Sequence, residues 1–251
     1  MKRQLAGSLA LGLILVAGAY GAPQTSVEPG ADGSKQITVR IHNYAQVESG
    51  ALVEAERTTD NILRAAGVGV VWLECSGAQT TAKDPACATP MGPTDFWLNL
   101  LPRSMSDRFH LGVDAFGVAL EDAEGGLGFD AWIFCDLVKD AAAQRQLTRS
   151  VLLGTVIAHE LGHLLLSTNS HSAFGLMRAN WSGKELLAVE HQAMHLSSSE
   201  SKRIQEAMIF RRQSRERQLT AKVQTLSSSA LHNSNTLILK SDNDDVMEIM
   251  P

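Results

Sequence analysis

His159 and His163 stand four residues apart, and Glu160 directly follows the first, in the stretch His159-Glu160-Leu161-Gly162-His163. On a helix, residues four apart share one face, about 6 Å apart along the axis. Two imidazoles placed this way can converge on a single zinc ion, the ligand pair of an HExxH motif. Glu160, one step round the helix, can reach a water on that metal without ligating the metal itself. Zinc brings the pKa of its water toward ~7 and polarises a carbonyl, so the carboxylate can take the proton and later hand it to a leaving amine. The surrounding sequence is apolar: Val151 to Ala158 leads in and Leu164-Leu165-Leu166 leads out. A pattern match alone carries little weight, but two histidines and a glutamate on a buried helix are costly unless something binds them.

A catalytic zinc takes three protein ligands and keeps one position open. Ser167 to Ser170 reads as a helix stop and a turn, with Asn169 suited to the left-handed conformation that reverses a chain. His171, eight residues after His163, is the expected third ligand. The rival is a carboxylate from the following stretch Lys184-Glu185-Leu186-Leu187-Ala188-Val189-Glu190, that is Glu185 or Glu190. A site that binds zinc without turnover, in a secreted partner-binding module, is the alternative from a different class.

These residues resemble the metzincin metallopeptidases, and among them the matrixin-like branch. That family carries HExxHxxGxxH and then a methionine in a tight turn beneath the metal. Met177, in Gly175-Leu176-Met177, is similar to that methionine. The family glycine would fall at Leu166 and its third histidine at Asn169, so His171 lies two residues later. The step from His171 to Met177 is correspondingly shorter, and the distance from first histidine to methionine is the same. The resemblance implies zinc as cofactor, protein or peptide as substrate, and endopeptidase hydrolysis with Glu160 as base. A third ligand from Glu185 or Glu190 would instead resemble the gluzincins.

The elements that must position these residues are readable from periodicity. Gln36–Tyr44 alternates apolar and polar residues with β-branched members, a strand pattern. Ser49–Ala66 has helical spacing and ends at Gly67, a good terminator. Val68–Glu74, Asp95–Leu101, Phe116–Leu120 and Ala131–Val138 read as further strands, with a turn at Gly125, Gly126 and Gly128. Phe116–Leu120 could be the sheet edge that pairs with an extended peptide. The motif helix is expected over about 148–166, another over 182–195, and a charged amphipathic one over 199–218. The fold class that follows is α+β: a five-stranded mixed twisted sheet, an active-site helix and a smaller helical C-terminal subdomain, together spanning 36–218.

Residues 1–21 read as a signal peptide: a basic start, an apolar run from Leu5 to Val16, then small residues. A flexible lead-in follows over 22–35, and 219–251 reads as a disordered polar tail. Export to a secreted or periplasmic setting makes a disulfide possible. Cys75 and Cys87 flank a loop-like stretch and are the favoured pair, with Cys135 a buried thiol. The 251 residues are 44% hydrophobic with a net charge of -5, enough for one core and against a nucleic-acid partner. No membrane span remains after signal cleavage, and a monomer is expected. Asp136 and Asp140 are candidate cation ligands, Trp97, Trp132 and Trp181 candidate core residues, and His42, His110, His191 and His195 histidines without ligand spacing.

Overall fold

The computed structural model describes residues 35–76, 85–106, 115–120 and 128–241. The segment expected to be a signal peptide, nearly all of the expected lead-in, His110 and the turn expected at Gly125-Gly126 lie outside these residues. In chain order the elements are β1 (Gln36–Asn43), α1 (Ser49–Ala65), β2 (Gly69–Ser76), a 3-10 turn at Pro85–Ala88, β3 (Asp95–Leu101), α2 (Arg103–Ser106), β4 (Gly117–Leu120), β5 (Asp130–Phe134), α3 (Cys135–Arg145), α4 (Arg149–Leu166), α5 (Gly183–Glu190) and α6 (Ser198–Ser241). The strands form one sheet in the order β2-β1-β3-β5-β4. Four run parallel, and β4 alone runs antiparallel, at the edge. This is an α+β fold with a mixed five-stranded sheet.

Alternation explains the sheet's faces. Ile37, Val39 and Ile41 of β1, Phe96, Leu98 and Leu100 of β3, and Ala131 and Ile133 of β5 are fully buried on one face. They join α1 and α4 in a single core cluster. Trp97 and Trp132 occupy alternate positions and are half-buried on the opposite face, so they do not belong to that cluster as expected.

Helix α4 is buried on every side from Val151 to Leu166, the pattern of a central helix. It packs against α1, α3, α6, β4 and β5. Its approach to α1 depends on Gly154, where a Cβ would stand 2.3 Å from the Ala55 carbonyl oxygen. The Thr59 hydroxyl donates to the Gly154 carbonyl at 2.9 Å and locks the crossing.

Three expectations are corrected. The strand expected over Ala131–Val138 stops at Phe134, and Cys135 instead opens α3. An apolar run of eight cannot by itself be told from a strand joined to a buried helix turn. Cys135 is still a buried thiol, pushed up to about 12 by that burial. Helix α6 runs to Ser241 rather than stopping near Gln218, and so takes in most of the segment expected to be a disordered tail. No Gly or Pro interrupts residues 198–241. The left-handed residue that ends α4 is Ser167, at φ 50°, not Asn169. The Cys75–Cys87 disulfide is present as expected, and no described helix is long and apolar enough to cross a membrane.

Candidate metal centre

Helix α4 ends one turn after His163, and the chain doubles back beneath it. Because Ser167 turns left-handed, the Thr168 carbonyl faces back toward the helix and accepts a hydrogen bond from His163 Nδ1 at 2.8 Å. His159 Nδ1 donates to the Leu176 carbonyl at 2.7 Å. A carbonyl can only accept, so both Nδ1 atoms carry a proton, and in the neutral rings both Nε2 atoms present lone pairs. Those two Nε2 atoms face each other at 3.1 Å. Two lone pairs so close repel unless a proton or a metal cation lies against both. A tetrahedral zinc with bonds of ~2.0 Å needs nitrogens roughly 3.3 Å apart.

His171 completes the set. Its ring lies 5.4 Å from that of His159 and 4.8 Å from that of His163. One ligand atom from each of His159, His163 and His171 lies within 4.8 Å of the others, with the first two residues buried and the third exposed. The cluster could hold a metal ion, with two imidazoles fixed in the protein and one at its mouth. Burial holds His159 down at about 4, helped by His163 and His171 nearby, while its carbonyl bond and Glu200 act the other way. The imidazole is therefore neutral at neutral pH, as a ligand must be. The donor set fits zinc.

Glu160 is 5% exposed. Burial pushes its carboxyl up to about 8, against the pull of a hydrogen bond from the Ala119 N–H on β4. A cation beside it would favour the charged form. Gly117, the first residue of β4, is what lets Glu160 sit there: a Cβ would stand 2.8 Å from its Cγ and Oε1.

Met177 lies directly under the helix. It is 1% exposed, and a Cβ on Gly162 would stand 2.6 Å from its Sδ. So the glycine inside HELGH is the notch that receives the methionine. The turn around Met177 is tight, with Gly175 at φ 77° and the Arg178 N–H donating to the Gly175 carbonyl at 3.3 Å. Met177 thus packs against the motif helix at Gly162.

The rival carboxylates are engaged elsewhere. Glu185 forms the capping box of α5 with Ser182 and an ion pair with Arg178. Glu190 accepts from the N–H and the hydroxyl of Thr148 at 2.7 and 2.8 Å, at the opposite end of α4 from the histidines. Asp136 accepts from the Arg103 N–H and Asp140 pairs with the Arg103 side chain, so both fasten α2 to α3. His42 stacks on Tyr44 and lies against Trp97, away from the centre.

Sequence reasoning missed four contributors: Gly117, Gly162, Trp181 and Glu200. Trp181 packs against the core as expected and also forms a wall of the cleft, its ring edge-on to His159 at 5.6 Å and its Nε1 donating to the Leu176 carbonyl. The centre opens into a cleft of about 910 Å³, lined by Gly117 to Ala119 on β4, by Val156 on α4 and by Trp181. The Ser197-Ser198-Ser199-Glu200 stretch did carry a readable capping signal for α6. Nothing local marked the others. The chain matches no family model and no curated protein.

Proposed function

We propose that this chain is a zinc-dependent endopeptidase acting at the His159–His163–His171 centre. The observation that carries the reading is the convergence of three imidazoles, two with a proton held on Nδ1, with a buried carboxyl lining the same cleft. Zinc, when bound, supplies Lewis acidity, polarising a carbonyl oxygen and acidifying a water. Glu160 takes the proton from the attacking water and delivers it to the leaving nitrogen.

Edge strand β4 gives the reason for a peptide substrate. It lines the cleft beside Glu160, and among the described residues it pairs with β5 alone, on one side. An extended chain adding to the other side would lie across the metal centre, a known mode of peptide recognition. The similarity to metzincins in motif, in the Met177 floor and in element order supports the same reading. The amino-terminal apolar segment and the Cys75–Cys87 disulfide support an exported protein working in an oxidising compartment.

The test is metal content and hydrolysis of casein and of a mixed-peptide library by the purified protein, beside Glu160→Gln. One zinc per chain is expected, with cleavage lost on chelation. Glu160→Gln should keep the zinc and lose about 10²–10⁴-fold in rate. Zinc without cleavage in the parent chain would favour a binding module instead. Turnover that survives Glu160→Gln would end the proposed mechanism.

A further inference from the structure

We infer that Glu200 is a positioning residue for the third metal ligand, acting through Ser172. The inference rests on the proposed zinc centre. His159 and His163 are each held twice, by the backbone of α4 and by an Nδ1–carbonyl bond. His171 has neither support. It is exposed, on the irregular segment between α4 and Met177, and among the described residues its ring has no hydrogen-bond partner. Its place must be set by its neighbours in the chain.

Ser172, the next residue, is pinned on two sides. Its N–H donates to the Met177 carbonyl at 2.7 Å, and its hydroxyl donates to Glu200 Oε1 at 2.5 Å. The first bond lies within the same loop. The second reaches a different element, the first turn of α6.

Glu200 is well placed to be a fixed point. It is 5% exposed. Its other oxygen, Oε2, accepts from the Ser197 N–H at 2.6 Å and the Ser197 hydroxyl at 2.8 Å. The Glu200 N–H donates back to the Ser197 hydroxyl at 3.2 Å. This is a capping box, and it needs only one carboxylate oxygen. The second oxygen holds the ligand loop. Helix α6 is in turn tied to the motif helix, since buried Arg211 donates to the Leu164 carbonyl at 2.6 Å. Both halves of the ligand set are thereby referenced to one rigid helix.

The test is zinc affinity by chelator competition, with thermal melting of the metal-free chain as the structural control. The variants are Ser172→Ala, Ser172→Thr, Glu200→Ala and Ser197→Ala, with Ser172→Ala and Glu200→Ala also made on a His171→Ala background. Loss of such an outer contact weakens metal binding about 10–100-fold, and that is expected for Ser172→Ala and Glu200→Ala. Ser172→Thr keeps the hydroxyl and should restore affinity. Ser197→Ala removes the hydroxyl contacts of the cap but keeps the Ser197 N–H bond to Oε2 and the Ser172 bond to Oε1, so it should lower the melting temperature and cost less affinity than Ser172→Ala. On the His171→Ala background Ser172→Ala should cost no more than about twofold, because the ligand it positions is gone, and Glu200→Ala should cost less than in the parent, since only its charge near His159 is then lost. Unchanged affinity in Ser172→Ala, or an equal loss on both backgrounds, would overturn the inference. A parent chain that binds no zinc would refute the metal centre itself, a failure seen before any variant is compared.

Discussion

Replacing Gly117 by alanine tests whether Glu160 is held where proton transfer requires it. The new Cβ would stand 2.8 Å from Glu160 Cγ and Oε1 and 2.9 Å from the Trp132 carbonyl oxygen. Restoring van der Waals separation requires a movement of roughly 0.6 Å. The Trp132 oxygen belongs to β5, whose register with β4 is set by the pairing of Val118 with Trp132. It cannot withdraw without breaking that ladder, so the movement falls on Glu160 and on the start of β4. Displacing a catalytic group by about 1 Å costs ~10²-fold, so this smaller shift predicts a fall in kcat/KM of about 10–50-fold. Overpacking should also cost about 1–3 kcal/mol, which lowers Tm by roughly 3–10 °C. Zinc affinity should hold, because the nearest atoms to the new Cβ belong to Glu160 and Trp132 and not to the three histidines. The assay is kcat/KM on a quenched fluorescent peptide with the zinc-loaded protein, alongside chelator competition. Hydrolysis within twofold of the parent would refute the reasoning. So would equal collapse of zinc binding and activity, which would mean general damage rather than a misplaced carboxylate.

Other outcomes follow from the same geometry. His171→Ala should weaken zinc binding by at least about tenfold, while Glu190→Ala should leave it unchanged and lower Tm through loss of the contact to Thr148; the reverse result in competition titrations would restore the carboxylate as third ligand. Gly154→Ala should be among the most damaging single changes, about 3 kcal/mol or more, because its Cβ meets the Ala55 backbone at 2.3 Å; a denaturant melt showing a loss under ~1 kcal/mol would contradict the close α1–α4 contact. Burial, then the charges of Glu74 and Asp60, push the Glu56 carboxyl up from 4.5 to about 7. The fold favours the protonated form, so this contribution is full below pH 4.5 and is lost as pH rises through about 7. Glu56→Gln should therefore match the parent at pH 4 and melt about 3 °C higher at pH 8, the value expected for about 1 kcal/mol after solvent screening. Equal melting of the two proteins at pH 8 would show that the carboxyl is not perturbed.

Much of the framework was visible because its signals are local. The alternation in β1 and β3, the terminator Gly67 and the unbroken apolar run of α4 each concern residues within a few positions of one another. Misreadings arose where a local signal was absent or ambiguous. The run from Ala131 to Val138 is apolar throughout, so it hid the change from β5 to α3 at Cys135. The polar composition after Gln218 suggested a tail, although nothing in it breaks a helix.

That His159 and His163 share one helix face, with Glu160 beside the first, was determined by sequence alone, because the helical repeat puts positions i and i+4 on one face whatever the rest of the chain does. His171 and Met177 could be named from spacing and from resemblance, but spacing does not say whether a loop returns to a helix. Tertiary structure decided that His171 reaches the pair and that Glu185 and Glu190 are engaged elsewhere. It also decided which carbonyls hold the two imidazoles in their ligating tautomers, and that Gly117 and Gly162 make room for Glu160 and Met177. The physical reason is range. A helix face follows from bonds four residues long, whereas a glycine's lack of a side chain matters only when a distant segment has packed against it.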